Sequence, residues 1–175
     1  MPTLHLLHGL PGSGKTTFAE RLAQEIPAVR FSPDEWMVAL HGIDPPAASF
    51  RAELAKVLDL VWVHAGRVLA AGGDVVFDGG FWRRAERDSA RARAAALGAA
   101  CRLYAFDCPV AVARARTLAR TRALPPNTFV IPAATFDGLL REIEPLGADE
   151  PHLVVDETGR VVSALPSAPA APPRA

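Results

Sequence analysis

Features that mark secreted, membrane-spanning and nucleic-acid-binding proteins are scarce in this sequence. Its 175 residues include two cysteines, Cys101 and Cys108, which are too few for a disulfide framework and lack metal-site partners at useful spacing. The formal net charge is zero, so nothing draws the whole chain to nucleic acid or to an anionic membrane. No apolar run approaches the ~20 residues of a membrane span, and the N-terminus lacks an export signal. We therefore expect a cytoplasmic protein without a membrane or nucleic-acid partner.

Length and composition favour a single domain with an unstructured tail. A chain of 175 residues, half of them hydrophobic, suits one sizeable core. The C-terminal end contains mainly Pro, Ala and Ser, a composition that rarely folds. The prediction is a domain over residues 1–163 followed by a disordered tail over 164–175. The sequence does not predict an oligomeric state.

Short apolar runs alternate with segments of helical periodicity along the chain. Strands are expected at 4–8, 28–31, 74–78, 101–106 and 153–155. Helices are expected at 18–26, from Ser32-Pro33-Asp34 onward, and at 50–69, 83–97, 109–120 and 132–143. This alternation predicts a three-layer α/β fold, in which helices cover both faces of a parallel sheet. The carboxyl ends of such strands share one edge, where ligands bind.

The loop after the first strand carries the most specific motif. Residues 9–16, Gly-Leu-Pro-Gly-Ser-Gly-Lys-Thr, match the Walker A pattern G-x-x-x-x-G-K-[ST]. Glycines let successive N–H groups turn inward toward phosphate oxygens, and the following helix adds its positive end. Lys15 would reach the β- and γ-phosphates of a nucleotide, and the Thr16 hydroxyl would bind Mg²⁺. The predicted nucleotide-binding residues are Gly9, Gly12, Ser13, Gly14, Lys15, Thr16 and Thr17.

Two aspartates follow later strands at the same expected edge. Asp34 comes after the second strand, where a carboxylate could take the proton of an acceptor hydroxyl; a helix-capping role is the alternative. Asp78 ends the third strand at a position like that of a Walker B aspartate. It could bind Mg²⁺ or the substrate, or it could close a turn before Gly79. Asp34 is therefore the candidate base, and Asp78 is a candidate ligand of metal or substrate.

Arginines crowd a segment that has no acidic residue between Asp107 and Asp137. Arg116 and Arg120 are four residues apart and share a helix face, where like charges repel each other. A transferring phosphoryl group between them would reverse that repulsion, so both are candidate catalytic residues. The neighbouring arginines are assigned to the solvated surface; they are Arg114 and Arg122.

The order of these motifs resembles the predicted-kinase P-loop family, which has an AAA-type ATP-binding domain. The resemblance spans about residues 3–156 and rests on the Walker loop, Ser32-Pro33-Asp34, Val76-Phe77-Asp78 with Arg87 downstream, and Asp107-Cys108-Pro109 leading into Arg116 and Arg120. That family is similar to polynucleotide 5′-kinases, zeta toxins and chloramphenicol phosphotransferases. It implies a five-stranded parallel sheet of adenylate-kinase type, Asp34 as general base, lid arginines, and ATP with Mg²⁺. Arg87 would lie near the substrate or in a structural ion pair.

The sequence departs from the polynucleotide kinases at two places. Those enzymes usually carry a basic residue three after the base aspartate, where this chain has Met37, and Thr-Asn after the strand-three aspartate, where it has Gly79-Gly80-Phe81-Trp82. Both differences make the acceptor pocket less suited to a nucleic-acid phosphate. Trp36, Phe81 and Trp82 could instead line an aromatic acceptor pocket, with core or lid packing as the alternative. The candidate substrate-binding residues are thus Asp78, Arg87, Trp36 and Trp82.

These observations together predict an enzyme that transfers the γ-phosphoryl group of Mg-ATP to a hydroxyl of a small molecule. A polynucleotide 5′-kinase and a zeta-toxin-like nucleotide-sugar kinase are the alternatives within the family. A nucleotide-dependent switch is the alternative of another class. ATP rather than GTP follows from the family. The residues add only that no guanine-specific Asn-Lys-x-Asp motif is present, since Asn127 is the only asparagine.

Overall fold

Six short strands form one sheet in the computed structural model, which describes residues 1–165. The strands are β1 (Thr3–His8), β2 (Ala28–Phe31), β3 (Asp74–Phe77), β4 (Ala100–Phe106), β5 (His152–Val155) and β6 (Val161–Leu165). The helices are α1 (Lys15–Glu25), α2 (Pro33–His41), α3 (Ala47–Ala70), α4 (Arg84–Ala96), α5 (Val110–Ala123) and α6 (Ala133–Leu140). Within residues 1–165, no helix is both long and apolar enough to cross a membrane.

The strands lie in the order β2-β3-β1-β4-β5-β6, with β1 in the interior of the sheet. The first five strands of this order pair in parallel, as expected. The expected count of five strands is nevertheless wrong, because β6 adds to the edge and runs antiparallel to β5. Antiparallel strands need only a short connection, and here a turn closes with the Asp156 N–H donating to the Arg160 carbonyl at 2.9 Å.

Because of strand β6, the folded domain ends later in the chain than the sequence predicts. The expected boundary was residue 163, but the β6 backbone pairs with β5 through Leu165, which lies opposite His152. Residues 166–175, which make up most of the predicted tail, lie outside the described residues. The domain therefore extends at least through residue 165.

Successive strand residues contribute to two cores on opposite faces of the sheet. Leu6 of β1 and Phe77 of β3 are buried with side chains of α3 and α4. Their neighbours Leu7 and Val76 are buried with Phe18 of α1 instead. Because adjacent residues of a strand point to opposite faces, this separation means that helices cover both faces of the sheet. The predicted three-layer α/β fold is confirmed.

A buried ion pair connects α4 with the segment before β5. Arg87 has no exposed surface, and its Nε and Nη2 atoms each donate to a carboxylate oxygen of Glu150 at 2.8 Å. These hydrogen bonds hold the pKa of the Glu150 carboxyl well below its usual range. Of the two expected roles of Arg87, the structure shows the ion pair. The assignment of Arg87 to substrate binding is wrong, because a fully buried guanidinium cannot reach a substrate.

Breaking this pair is expected to destabilise the fold. In Glu150→Gln the guanidinium of Arg87 stays buried without its counter-charge, so the free energy of unfolding should fall by about 3 kcal/mol. Urea denaturation followed by circular dichroism measures the change. Asp149→Asn is the control, because Asp149 pairs with Arg84 on the exposed side of α4 and should alter stability little. Equal effects of the two substitutions would contradict the structural role of the buried pair.

Candidate active site

The loop between β1 and α1 is curled by two glycines in the left-handed region. Gly12 has φ 78° and Gly14 has φ 100°, values that residues with a side chain rarely adopt. Gly12 also lies against α5, and a Cβ there would come within 2.2 Å of the Ala113 carbonyl oxygen. The glycines of the motif are therefore required by backbone shape and by close packing. The result is a tight turn whose last residue, Gly14, is the N-cap of α1.

The end of this loop suits an anion. No side chain within residues 1–165 caps the N-terminus of α1, so the backbone N–H groups of its first turn are not bound to a protein acceptor there. The Ser13 hydroxyl is buried at 2% exposure and has no hydrogen-bond partner in the described part of the chain. Thr16 and Thr17 are exposed on the first turn. Unpaired donors at a helix N-terminus form a ready site for phosphate oxygens.

Lys15 lies over the same loop. Its Nζ atom donates to the carbonyl oxygens of Gly9 at 2.8 Å and of Leu10 at 2.7 Å. The protein that surrounds the ammonium group lowers the pKa of Lys15 to about 8, while the negative charges of Asp78 and Asp34 oppose that shift. Lys15 therefore has a loosely held proton and carbonyl partners that a phosphate could replace.

Asp78 follows β3 and is almost fully buried, at 5% exposure. Arg30 of β2 donates to its Oδ2 atom from Nε at 3.1 Å and from Nη2 at 3.0 Å. Burial raises the pKa of Asp78, and the charge of Arg30 works against that rise. The Thr16 hydroxyl donates to Asp78 Oδ1 at 3.4 Å. Thr16 and Asp78 thus present two oxygen atoms of the kind that Mg²⁺ prefers.

Arg30 is the functional residue that sequence reasoning missed. It was assigned to an ordinary strand, although an arginine inside the short apolar run 28–31 indicates a buried partner for its charge. Besides Asp78, its Nη2 atom donates to Glu35 Oε1 at 2.5 Å. Arg30 therefore joins the end of β3 to the first turn of α2.

Asp34 lies in that first turn of α2, beside Glu35. Ser32 caps the helix by accepting from the Glu35 N–H at 3.4 Å, so Asp34 is not the cap. Asp34 forms no side-chain hydrogen bond within residues 1–165, whereas Glu35 is bound by Arg30. The Asp34 side chain is exposed on the cleft side of α2. The protein around it and the negative charge of Asp78 raise the pKa of Asp34 to about 6, against the pull of Lys15. Asp34 is thus a carboxylate without a committed partner.

A cleft of about 270 Å³ is lined by α1, the start of α2, α5 and the segment that follows α5, whereas Lys15 and Asp78 are not part of its lining. Arg120 of α5 lines it, while Arg116 is exposed one turn earlier on that helix and is not part of the lining. Arg114 pairs with Asp137 of α6, in agreement with its assignment to the surface. Of the two candidate lid arginines, the structure therefore brings only Arg120 to the cleft. The lining residues are Thr16, Thr17, Glu20, Ser32, Asp34, Glu35, Arg120, Pro126, Asn127, Thr128, Phe129 and Ile131.

Two tryptophans expected to contact the substrate have other contacts. Trp36 packs its ring against Phe31 at 6.3 Å and against His64 of α3 at 6.1 Å, and it is absent from the cleft lining. Trp82 donates from its indole Nε1 to the carbonyl oxygen of Gly9 at 2.8 Å. Neither side chain lines the described cleft, and their predicted contact with a substrate stays a prediction. Trp36 joins α2 to α3, and Trp82 contacts the glycine-rich loop.

Solved structures share this fold at low sequence identity. A protein of Chloroflexus aurantiacus j-10-fl, proposed to be a kinase, matches with TM-score 0.70 and 22% identity over 89% of this chain and 88% of that chain. A gluconokinase of Sinorhizobium meliloti 1021 matches with TM-score 0.58 and 20% identity over 89% and 81%. Kti12 of Chaetomium thermophilum, solved with ADP-AlF3, matches with TM-score 0.66 and 19% identity over 87% and 88%. The fold is that of P-loop kinases.

Sequence comparison assigns the family. No curated protein matches the chain. A family model described as an AAA domain matches residues 4–146, which include the glycine-rich loop, Asp34, Asp78 and the arginines of α5. The match covers most of the 175 residues, and the resemblance predicted from the motifs is confirmed. The chain therefore belongs to the AAA domain family, with the fold of the P-loop kinases.

Proposed function

We propose that this protein transfers the γ-phosphoryl group of ATP to a hydroxyl of a small molecule. The observation that carries the proposal is the position of Asp34. A carboxylate without a hydrogen-bond partner in the described chain shares one cleft with Thr16 of the Walker loop and with Arg120. A nucleotide switch needs the loop but has no evident use for an uncommitted base beside it. Phosphoryl transfer to a hydroxyl needs both.

The Walker loop holds the phosphates in this proposal. The N–H groups at the start of α1 and the Ser13 hydroxyl donate to phosphate oxygens, and Lys15 exchanges its carbonyl partners for them. Thr16 and Asp78 would hold the metal, and the hydrogen bond from Arg30 fixes the orientation of the Asp78 carboxylate. Mg²⁺ at this place would neutralise charge on the β- and γ-phosphate oxygens. We propose ATP rather than GTP as the nucleotide because the family resemblance implies ATP.

Asp34 orients the acceptor hydroxyl and accepts its proton as the oxygen attacks phosphorus. A pKa of about 6 leaves Asp34 ionised at neutral pH and still basic enough to take the proton. Arg120 faces the same cleft and stabilises the charge on the transferring group. The two side chains thus act on opposite partners of the reaction, the acceptor and the phosphoryl group.

The charges of the residues that line the cleft indicate which kind of acceptor it would bind. Its described lining has three carboxylates, on Glu20, Asp34 and Glu35, and one cation, on Arg120. Arg120 is assigned to the phosphoryl group, and Arg30 is shared among Asp78, Glu35 and, at 3.9 Å, Glu20. An acceptor with its own phosphate or carboxylate would therefore still meet an excess of negative charge. Polar groups of Ser32 and Thr128 could bind hydroxyls. These features favour a neutral acceptor with several hydroxyl groups, such as a sugar or a nucleoside, over a polynucleotide.

The experiment that tests the proposal is transfer of label from γ-labelled ATP with Mg²⁺ to a panel of acceptors. We expect a labelled neutral sugar, nucleoside or hydroxyl-bearing antibiotic, and loss of at least about a hundredfold in Lys15→Ala and Asp34→Asn. The panel includes a 5′-hydroxyl oligonucleotide at low salt and a nucleotide sugar. Labelling of the oligonucleotide alone would replace the proposal with polynucleotide kinase activity. ATP hydrolysis with no labelled acceptor, or full activity in Asp34→Asn, would contradict it.

The pH dependence of kcat/KM should be bell-shaped. Asp34 must be deprotonated to accept a proton, so activity is lost as pH falls below about 6. Lys15 must be protonated to attract phosphate, so activity is lost as pH rises above about 8. Initial rates at subsaturating acceptor and nucleotide measure both limbs. Lys15→Arg should lose the alkaline limb and keep the acid limb; an unchanged alkaline limb would show that another group titrates there.

The two arginines of α5 should differ in their effect on turnover. Arg120→Ala removes the cation of the cleft and should lower kcat by about a hundredfold or more. Arg116→Ala is the matched control one turn away, and its effect should be several-fold at most. Steady-state kinetics of the two variants measure this difference in kcat. Equal losses would mean that the lid closes over the nucleotide and brings Arg116 into contact with it.

A further inference from the structure

The segment after β3 folds back onto the Walker loop. Phe81 has φ 41°, a left-handed conformation that a bulky residue seldom adopts. Its carbonyl oxygen accepts from His8 Nδ1 at 3.0 Å and from Arg87 Nη1 at 3.2 Å. The next carbonyl, that of Trp82, accepts from Arg87 Nη1 at 3.0 Å and from the Glu144 N–H at 2.9 Å. Four hydrogen bonds therefore hold residues 81 and 82 in place despite the strained backbone of Phe81. Such strain is typical of segments whose position serves a functional site.

The indole of Trp82 reaches the first residue of the loop. Its Nε1 atom donates to the Gly9 carbonyl oxygen at 2.8 Å, and Lys15 Nζ donates to that same oxygen at 2.8 Å. Gly9 is buried, so this oxygen depends on protein donors. Gly80 makes room for the indole, since a Cβ there would lie 2.3 Å from Trp82 Nε1. The sequence Gly79-Gly80-Phe81-Trp82 is therefore shaped to place one N–H at the Walker loop.

We propose that Trp82 is a positioning residue for nucleotide binding, an inference that rests on the proposed function. When Lys15 leaves the Gly9 carbonyl for a phosphate, the Trp82 N–H remains as a donor to that buried oxygen. Without it, recruiting Lys15 to phosphate would leave the carbonyl unpaired, and the nucleotide complex would bear that cost. Trp82 therefore acts through Gly9 and Lys15 and needs no contact with the nucleotide.

The test compares the affinities of variants for Mg-ADP by calorimetry. Trp82→Phe keeps a ring and the backbone carbonyl at residue 82 but removes the N–H donor. Its dissociation constant should rise about tenfold, the effect of one unpaired buried group. Trp36→Phe is the matched control, because Trp36 packs between α2 and α3 and should bind as the wild type does. Thermal melts without nucleotide should show similar stability for both variants.

A second variant tests whether the hydrogen bond itself is responsible. Gly80→Ala places a Cβ against the indole and should displace it, with a loss of affinity similar to that of Trp82→Phe. The double variant Gly80→Ala/Trp82→Phe should lose no more than either single variant, since all three lack the same bond.

Three outcomes would overturn the inference: wild-type affinity in Trp82→Phe, an equal loss in Trp36→Phe, or additive losses in the double variant. A wild-type protein that takes up no Mg-ADP would instead refute the proposed function.

Discussion

The ion pair between Arg30 and Asp78 is the interaction on which the site depends. A carboxylate with 5% exposure is costly to bury, and two hydrogen bonds from one guanidinium make that burial possible. Parallel pairing of β2 with β3 brings the two residues together, because Arg30 lies beside Val76 in the sheet register and Asp78 follows two residues later. Sheet geometry thus fixes the carboxylate opposite Thr16, where the proposed function has a metal ligand.

The same guanidinium separates the roles of two adjacent carboxylates. Glu35 and Asp34 both lie in the first turn of α2, but Arg30 binds Glu35 and leaves Asp34 free. Asp34 then feels the negative charge of Asp78 without a compensating hydrogen bond, which is part of the reason that its pKa rises. Desolvation by the surrounding protein is the largest cause of the raised pKa of Asp34, and Asp78 adds to it while Lys15 and Arg120 oppose it. The place of Asp34 after the second strand made it the candidate base in the sequence, and the contact between Arg30 and Glu35 leaves Asp34 as the carboxylate without a partner in the described residues.

The sequence predicted those parts of the fold and site that depend on local pattern. Apolar runs and helix caps indicated every strand from β1 to β5, and the spacing of Gly12, Gly14 and Lys15 identified the loop. Strand β6 was missed because its apolar residues precede a Pro-rich tail and follow a polar turn. Contacts between distant elements could not be predicted either. The Arg30–Asp78 pair joins residues 48 apart and the Arg87–Glu150 pair residues 63 apart, so only the folded sheet makes them neighbours.

The same limit explains why Arg87 and Trp82 were assigned to substrate. Arg87 was assigned from the family resemblance and Trp82 from its aromatic residue type, and both come after the end of β3. In the structure, both side chains donate hydrogen bonds to backbone carbonyls next to the site. Arg87, neutralised by Glu150, donates to the carbonyls of Phe81 and Trp82, and the indole then donates to Gly9. A buried structural ion pair is in this way connected through two backbone carbonyls to the phosphate-binding loop.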